Sequence, residues 1–250
     1  MEAVSGLLIE RLEEAPRAID EAPRLREMAD RDGFLFLRGL VPPERVLRLR
    51  RVVLDYAREA AWLDATQPLD CARALPDKRV GYYQDPDWIQ LQVRVQMSPE
   101  FWDIGDFVEI HRVLHAAAAR SSFLYLSTAN TCRVFSPHPD MATQPHQDAH
   151  YVRMIEQFWT AWIPLGDCPI ELGPLAVLPG SYRQGLQPHA GEGIVEGGVE
   201  VPADAVWRTS DFCCGDVLLF NNFTLHRSLA NRSGDRLRLS ADFRYGFWRD

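Results

Sequence analysis

The chain has 250 residues, 46% of them hydrophobic, with 16 Gly and 17 Pro. That composition suits one large domain with a proper core and excludes a disordered or fibrous chain. A formal net charge of -8 makes it a poor general binder of polyanions, so nucleic acid is not an expected partner. No stretch approaches the roughly 18 apolar residues of a membrane span, and the Glu-rich N-terminus is unlike a secretory leader. A membrane is therefore not expected either. The five cysteines, Cys71, Cys132, Cys168, Cys213 and Cys214, contain no CxxC pair and read as reduced thiols of a cytoplasmic protein. Oligomeric state is unknown from these features.

In chain order, the first 60 residues read as helix, strand, helix. Residues 22–31 are helical, and Asp32-Gly33 ends them. Phe34 to Leu37 is a short apolar run between turns, as a buried strand would be. Pro42-Pro43 opens a second helix, with Val46, Leu47, Leu49, Val53, Leu54 and Ala57 on one face and arginines on the other. Residues 61–88 lack periodicity and read as a long loop, of the kind that forms lids or binding loops. Leu91 to Met97 alternates apolar and polar, which predicts a half-buried strand. Helices follow around 99–103 and 108–119.

From about residue 122 the pattern changes to short strand-like runs between Pro, Gly, Asp and Asn: 123–126, 131–135, 157–162, 175–178, 217–220 and 236–243. Many short strands argue for a β-sandwich or barrel. The expected architecture is mainly β with flanking helices. Helical additions occupy about 1–120 and the core about 121–246, in a single domain spanning 1–250.

Three constellations carry chemistry. In Pro145-His146-Gln147-Asp148, a strand would turn His146 and Asp148 to one face and Gln147 away. An imidazole and a carboxylate make two thirds of a facial triad, which suits iron(II) and leaves positions open. His226 follows a Gly215-Asp216 turn and a buried apolar run; it lies 80 positions after His146, where a third ligand on an opposing strand could sit. In the 236–244 run, one face is Leu237, Leu239, Ala241 and Phe243. The other is Arg236, Arg238, Ser240, Asp242 and Arg244. The second face could be the solvated side of an edge strand. Alternatively, Arg238 and Ser240 offer a forked donor and a hydroxyl suited to a carboxylate. Two other groupings compete. His138-Pro139-Asp140 is a second HxD, but it lies in a proline-flanked loop. His111 and His115 are four apart on a helix, but without the Glu of a metalloprotease motif.

Taken in order, these residues resemble the phytanoyl-CoA dioxygenase-like family of iron(II)/2-oxoglutarate-dependent oxygenases. The likeness runs from about residue 28 to 245. It rests on Asp32 to Leu40, the His146-x-Asp148 pair, Gly173-Pro174-Leu175, Leu178-Pro179-Gly180-Ser181-Tyr182, Gly215 to Phe220, and His226-Arg227-Ser228 to Asn231. The resemblance implies a double-stranded β-helix, the jelly-roll or cupin-like core. It implies Fe(II), with 2-oxoglutarate and O2 as cosubstrates and succinate and CO2 released. His146, Asp148 and His226 would be the metal ligands and catalytic centre. Arg238 would hold the distal carboxylate of 2-oxoglutarate, with Ser228 and Ser240 as hydroxyl partners and Trp162 lining that pocket. Counting back from Tyr245 favours Arg238 over Arg236. An early-strand cosubstrate contact would fall on Gln92, Arg94 or Gln96. Related halogenases lack the carboxylate ligand, so Asp148 argues for oxygenation.

The implied reaction is hydroxylation of an unactivated C–H bond in a small molecule. Desaturation or cyclisation, or a cupin-like metal enzyme without 2-oxoglutarate, are the alternatives, and a metal-free binding module is the non-enzyme reading. Substrate contacts are expected from Gln92, Arg94, His150, Tyr151 and Tyr83, with Tyr82, Trp88, the loop 183–208 and the tail 244–248 as further specificity segments. Whether the substrate is free or bound to CoA or a carrier is not readable. His189, in a Pro/Gly-rich loop, has no expected role.

Overall fold

The computed structural model describes residues 2–4, 6–17, 19–76, 78–80, 86–118, 124–125, 129–153, 156–191 and 197–247. Its strands are β1 (Glu2–Val4), β2 (Leu7–Arg11), β3 (Phe34–Leu37), β4 (Leu124–Tyr125), β5 (Thr131–Phe135), β6 (Phe158–Pro164), β7 (Leu175–Val177), β8 (Val206–Thr209), β9 (Val217–Asn221), β10 (His226–Ser228) and β11 (Arg238–Gly246). Its α-helices are α1 (Ala22–Asp32), α2 (Pro43–Glu59), α3 (Pro86–Gln96), α4 (Pro99–Gly105), α5 (Val108–Ala118) and the single turn α6 (Asp148–Tyr151). One sheet runs β1-β2-β8-β7-β10; the other runs β3-β9-β6-β11-β4, with β5 also paired to β11. Nearly all neighbours are antiparallel, and β2 with β8 is parallel.

Local chemistry explains the helices. Gly33 closes α1 in the left-handed region at φ 80, its N–H bonded to the Ala29 carbonyl. Pro43 starts α2 at a position where its missing N–H costs nothing. Val46, Leu49, Val53, Leu54 and Ala57 are buried along α2, whereas Leu47, expected on that face, is 49% exposed. The helical layer and the outer face of the second sheet share the largest core. Val46, Leu54, Leu91, Phe101 and Leu114 meet Leu35, Leu37, Ala161, Ile163, Leu219, Leu239, Ala241 and Phe243. A smaller core lies between the sheets, joining Phe34, Phe36, Trp162, Leu218 and Phe220 to Leu172, Leu175 and Val177.

Three expectations are corrected. Residues 91–97 are not a strand but the end of α3. Trp88, Leu91, Gln92 and Val95 are buried at helical spacing, and Val93 and Met97 point out at 49% and 80% exposure. Leu91 and Val95 satisfy both periods, which is why alternation misled. The 61–88 segment is no lid where it is described. A short helical turn at Leu69–Cys71 and antiparallel bridges Leu63 to Ala74 and Arg73 to Arg236 lay it along the outer end of β11. Nor is the N-terminal half only a helical wrapping, because β1 and β2 extend one sheet and β3 edges the other.

The turn before β9 ties the N-terminal segment to the core. Gly215 has φ +98, and a Cβ there would come 2.3 Å from the Val41 carbonyl oxygen. Buried Asp216 accepts from the N–H groups of Gly39 and Cys213 at 2.8 Å each and from Arg38 at 2.7 Å. Asp216→Ala would strand the two backbone donors, while Arg38 keeps the Asp211 carbonyl and Glu14. The expected loss is about 2–4 kcal/mol of unfolding free energy, measured by urea denaturation.

Candidate metal centre

β11 sits between β6 and the β5 and β4 strands, so it is not an edge strand, and residues on both of its faces are buried along its whole length. Its apolar face meets the helices. Its polar face points between the sheets, where Arg238, Ser240, Asp242 and Arg244 are each at most 4% exposed. The edge-strand reading fails for this reason. The polar face forms one wall of a cavity lined by Arg133, Phe135, Thr143, His146, Asp148, Trp162, Leu175, Phe220, His226, Ser228, Arg238 and Asp242.

His146 and His226 are neighbours rather than residues on facing strands. They form an antiparallel bridge in which each backbone N–H bonds the other's carbonyl, at 2.9 and 3.0 Å. Each imidazole donates its Nδ1–H to the carbonyl two residues before it, to Gln144 at 2.7 Å and to Thr224 at 3.0 Å. Both Nε2 atoms are thereby left as free bases. Asp148 is not on a strand. The chain is extended through Gln147 and then turns, so that Asp148 opens α6. The carboxylate still joins the pair: its Oδ1 lies 3.6 Å from His226 Nε2, and one ligand atom from each of the three residues lies within 4.8 Å of the others.

The electrostatics suit a cation. Burial lowers the pKa of both imidazoles, His146 further because His226 is beside it, so both are neutral at physiological pH. Burial opposes ionisation of Asp148. The Arg244 guanidinium and the imidazoles outweigh it and hold the carboxyl far below the usual carboxylate range. Asp148 Oδ2 accepts from Thr160 Oγ1 at 2.7 Å and from Arg244 Nε at 3.0 Å, and Arg244 Nη2 adds an ion-pair contact at 3.0 Å.

At the other end of the cavity Arg238 stacks on Phe135, 4.2 Å from the ring centroid. Among the described residues its hydrogen bond goes to Ser240 Oγ, at 2.9 Å. Burial lowers it only to about 10, so it stays charged. Trp162 Nε1, buried in the same wall, has no hydrogen-bond partner among the described residues. A buried cation bonded only to a hydroxyl, and a buried N–H with no acceptor among the described residues, fit a bound carboxylate. Ser228 lies on β10 and pairs with Thr143: its N–H donates to Thr143 Oγ1 at 2.7 Å, and its own Oγ accepts from the Thr143 N–H at 2.9 Å. Arg236 is outside this cavity and lines an outer groove with Arg50 and Arg73.

Gln92 and Arg94 are not at the site. On α3, the Gln92 amide is used by the Cys132 backbone, and Arg94 pairs with Glu59 at the surface. Gln96 bonds the Asn130 carbonyl. Tyr82, Tyr83 and Trp248 lie outside the described residues. Tyr151 sits edge-on to His146 with centroids 5.9 Å apart, and His150 stacks on His189 at 4.0 Å. His189, given no role from sequence, accepts from the Gln147 N–H at 3.1 Å. Of the competing groups, His138 bonds Asp140 at 2.5 Å at the surface, and His111 packs edge-on against Tyr245. Sequence reading missed Arg133, Asp242, Arg244 and Thr160 as site-facing groups. The alternation of β11 contained the signal for two of them.

Comparison with known proteins agrees with this geometry. The double-stranded β-helix fold is shared with solved structures. One is the epimerase SnoN in complex with Fe3+, alpha ketoglutarate and nogalamycin RO, at 20% identity, covering 92% of this chain and 85% of that one, with TM-score 0.62. Another is EvdO2 from Micromonospora carbonacea var. aurantiaca, at 18% identity, 94% of both chains and TM-score 0.63. Among curated relatives, the 1-deoxypentalenic acid 11-beta-hydroxylase of Streptomyces arenae is 27% identical over 90% of this chain and 81% of its own length. Its counterpart from Streptomyces exfoliatus is 26% identical with the same coverage. The phytanoyl-CoA dioxygenase (PhyH) profile matches residues 29–239, and the chain belongs to that family. It is an enzyme, an iron(II)- and 2-oxoglutarate-dependent oxygenase. No helix of the described residues is long and apolar enough to cross a membrane.

Gln147 points away from the centre and is fully buried. Its Nε2 donates to the Gly185 and Phe223 carbonyls at 2.8 and 2.6 Å, and its Oε1 accepts from the Gln187 N–H at 2.8 Å. Gln147→Ala is expected to cost about 2–3 kcal/mol and to raise amide exchange selectively at 185–190, read by hydrogen exchange.

Proposed function

We propose that the chain hydroxylates an aliphatic C–H bond of a small-molecule biosynthetic intermediate, with His146, Asp148 and His226 holding the iron. Arg238, with Ser240, Ser228 and Trp162 around it, receives the distal carboxylate of 2-oxoglutarate. The observation that carries this reading is the pairing, in one cavity, of a three-ligand cluster with a buried guanidinium that has no ion pair among the described residues. When bound, the iron and its cosubstrate supply the oxidising chemistry. The protein's own residues do the rest. The two Nδ1–H bonds fix which imidazole nitrogens face the metal. Phe135, Leu175 and Phe220 exclude water from the cavity. Arg238 and Ser240 set the direction from which the cosubstrate approaches. His150, Tyr151 and His189, with the 185–190 segment they touch, are placed to meet the substrate at the mouth.

Hydroxylation is supported by the curated relatives, which are named as hydroxylases of 1-deoxypentalenic acid. The structural relatives include an epimerase and a carbocyclase, so epimerisation or ring closure from the same centre is the second reading, decided by product analysis. A single domain working in the cytoplasm is supported by five unpaired thiols.

Two experiments test the reading. Anaerobic protein with Fe(II) and 2-oxoglutarate should develop a visible charge-transfer band, and His226→Ala should abolish it; a band that survives this change sinks the assignment. Arg238→Ala should raise the half-saturating 2-oxoglutarate concentration about 100-fold or more with iron still bound, as expected for a lost charge-assisted bidentate contact. Arg236→Ala should leave it unchanged. Succinate release across a panel of small terpenoid and polyketide acids then identifies the substrate class.

A further inference from the structure

Arg244 is the buried cation nearest the metal cluster, and nothing in the reaction assigns it a task. Its side chain is 4% exposed. Four groups immobilise it. Its Nη1 donates to the Ala129 carbonyl, its backbone N–H donates to Asn130 Oδ1 at 2.9 Å, and Nη2 lies 3.8 Å from Asp242 Oδ2. Asp242 is anchored in turn by Arg133 at 2.6 Å and Thr131 at 3.1 Å. The fourth is the fork of Nε and Nη2, both 3.0 Å from one atom, Asp148 Oδ2. Thr160 Oγ1 donates to that same oxygen. Oδ2 therefore accepts two hydrogen bonds, from Thr160 and from Arg244 Nε, with Nη2 in ion-pair contact, which fills the two lone-pair positions of an sp² carboxylate oxygen. Oδ1 accepts none of them and faces His226.

We propose that Arg244 is a positioning residue that confines Asp148 to a one-oxygen metal ligand. The inference rests on the reading that Asp148 binds the iron. A carboxylate can bind a metal through one oxygen or chelate it through two. In a site with three protein ligands, a chelating carboxylate would take a position the cosubstrate needs. Thr160 alone leaves the carboxylate free to rotate about its Cβ–Cγ bond. The Arg244 fork, fixed at its far side by Ala129 and Asp242, does not. The same contact adds a positive charge beside the metal, so metal affinity alone is not what it serves.

The test separates metal binding from cosubstrate binding. In Arg244→Met, Co(II) and Fe(II) should bind within about tenfold of wild type. The affinity of the Fe(II) form for 2-oxoglutarate, read anaerobically from the charge-transfer band, should fall about 10- to 100-fold. Arg244→Lys, which keeps the charge but loses the fork, should recover part of it. If Arg244→Met binds 2-oxoglutarate as wild type does, the proposal is overturned. It is equally overturned if metal and cosubstrate affinities fall together in proportion to lost thermal stability. Thr160→Val removes one donor to the same oxygen and decides the matter if the arginine variants do not fold. A three- to tenfold drop in cosubstrate affinity at unchanged metal affinity is expected, and no drop overturns the proposal. A wild-type protein that forms no band at all would instead remove the iron reading itself.

Discussion

The centre depends on one backbone pairing, the mutual N–H to carbonyl bonds of His146 and His226. This pairing joins a segment outside the regular strands to β10, and it sets two imidazoles side by side with ring centroids 4.2 Å apart. A hydrogen-bonded antiparallel pair fixes the Cα separation near 5.5 Å. The ring spacing is thus a property of the main chain. Because both rings then use the carbonyl two residues back, the same local motif orients each of them. Asp148 needs a different device, since the chain turns after Gln147. Its orientation comes from Thr160 on β6 and Arg244 on β11, two strands of the opposite sheet.

Burying so many polar groups between two sheets would be costly if they were unpaired, at several kcal/mol per ion. The arrangement offsets this by alternating sign. Arg133, Asp242, Arg244 and Asp148 follow one another along the wall, each within 4 Å of the next. Arg238 stands apart from this series, with Phe135 and Ser240 around it and no ion pair among the described residues. The charges of the wall are paired at the three-ligand cluster and unpaired at the Arg238 end, which is the end proposed to receive an anion.

Much of this was legible in the sequence, and the failures have definite causes. Phe34–Leu37 and Thr131–Phe135 were bounded by turns and matched their strands. His146, Asp148 and His226 stood out because their chemistry is rare in combination. Residues 91–97 misled because seven residues with two shared apolar positions fit a period of 2 and a period of 3.6 equally well. The polar face of β11 was ambiguous because a residue pattern cannot tell water from a polar cavity. Only the burial of that face beneath the other sheet settles it. Arg244 was placed on the polar face but not joined to Asp148, because the two lie 96 positions apart, and His189 was given no role because its contacts to Gln147 and His150 lie about 40 positions away.

Gln147 has a further consequence. The residue between His146 and Asp148 is also the anchor of the 185–187 segment. Insertions or deletions there would pull on the backbone that carries His146 and Asp148. Side chains on that segment are free of this coupling, because the amide of Gln147 binds only its main chain. Diversification of such an enzyme toward new molecules is thereby channelled into replacing side chains on a rim of constant length, and the chemistry is insulated from changes in what it acts upon.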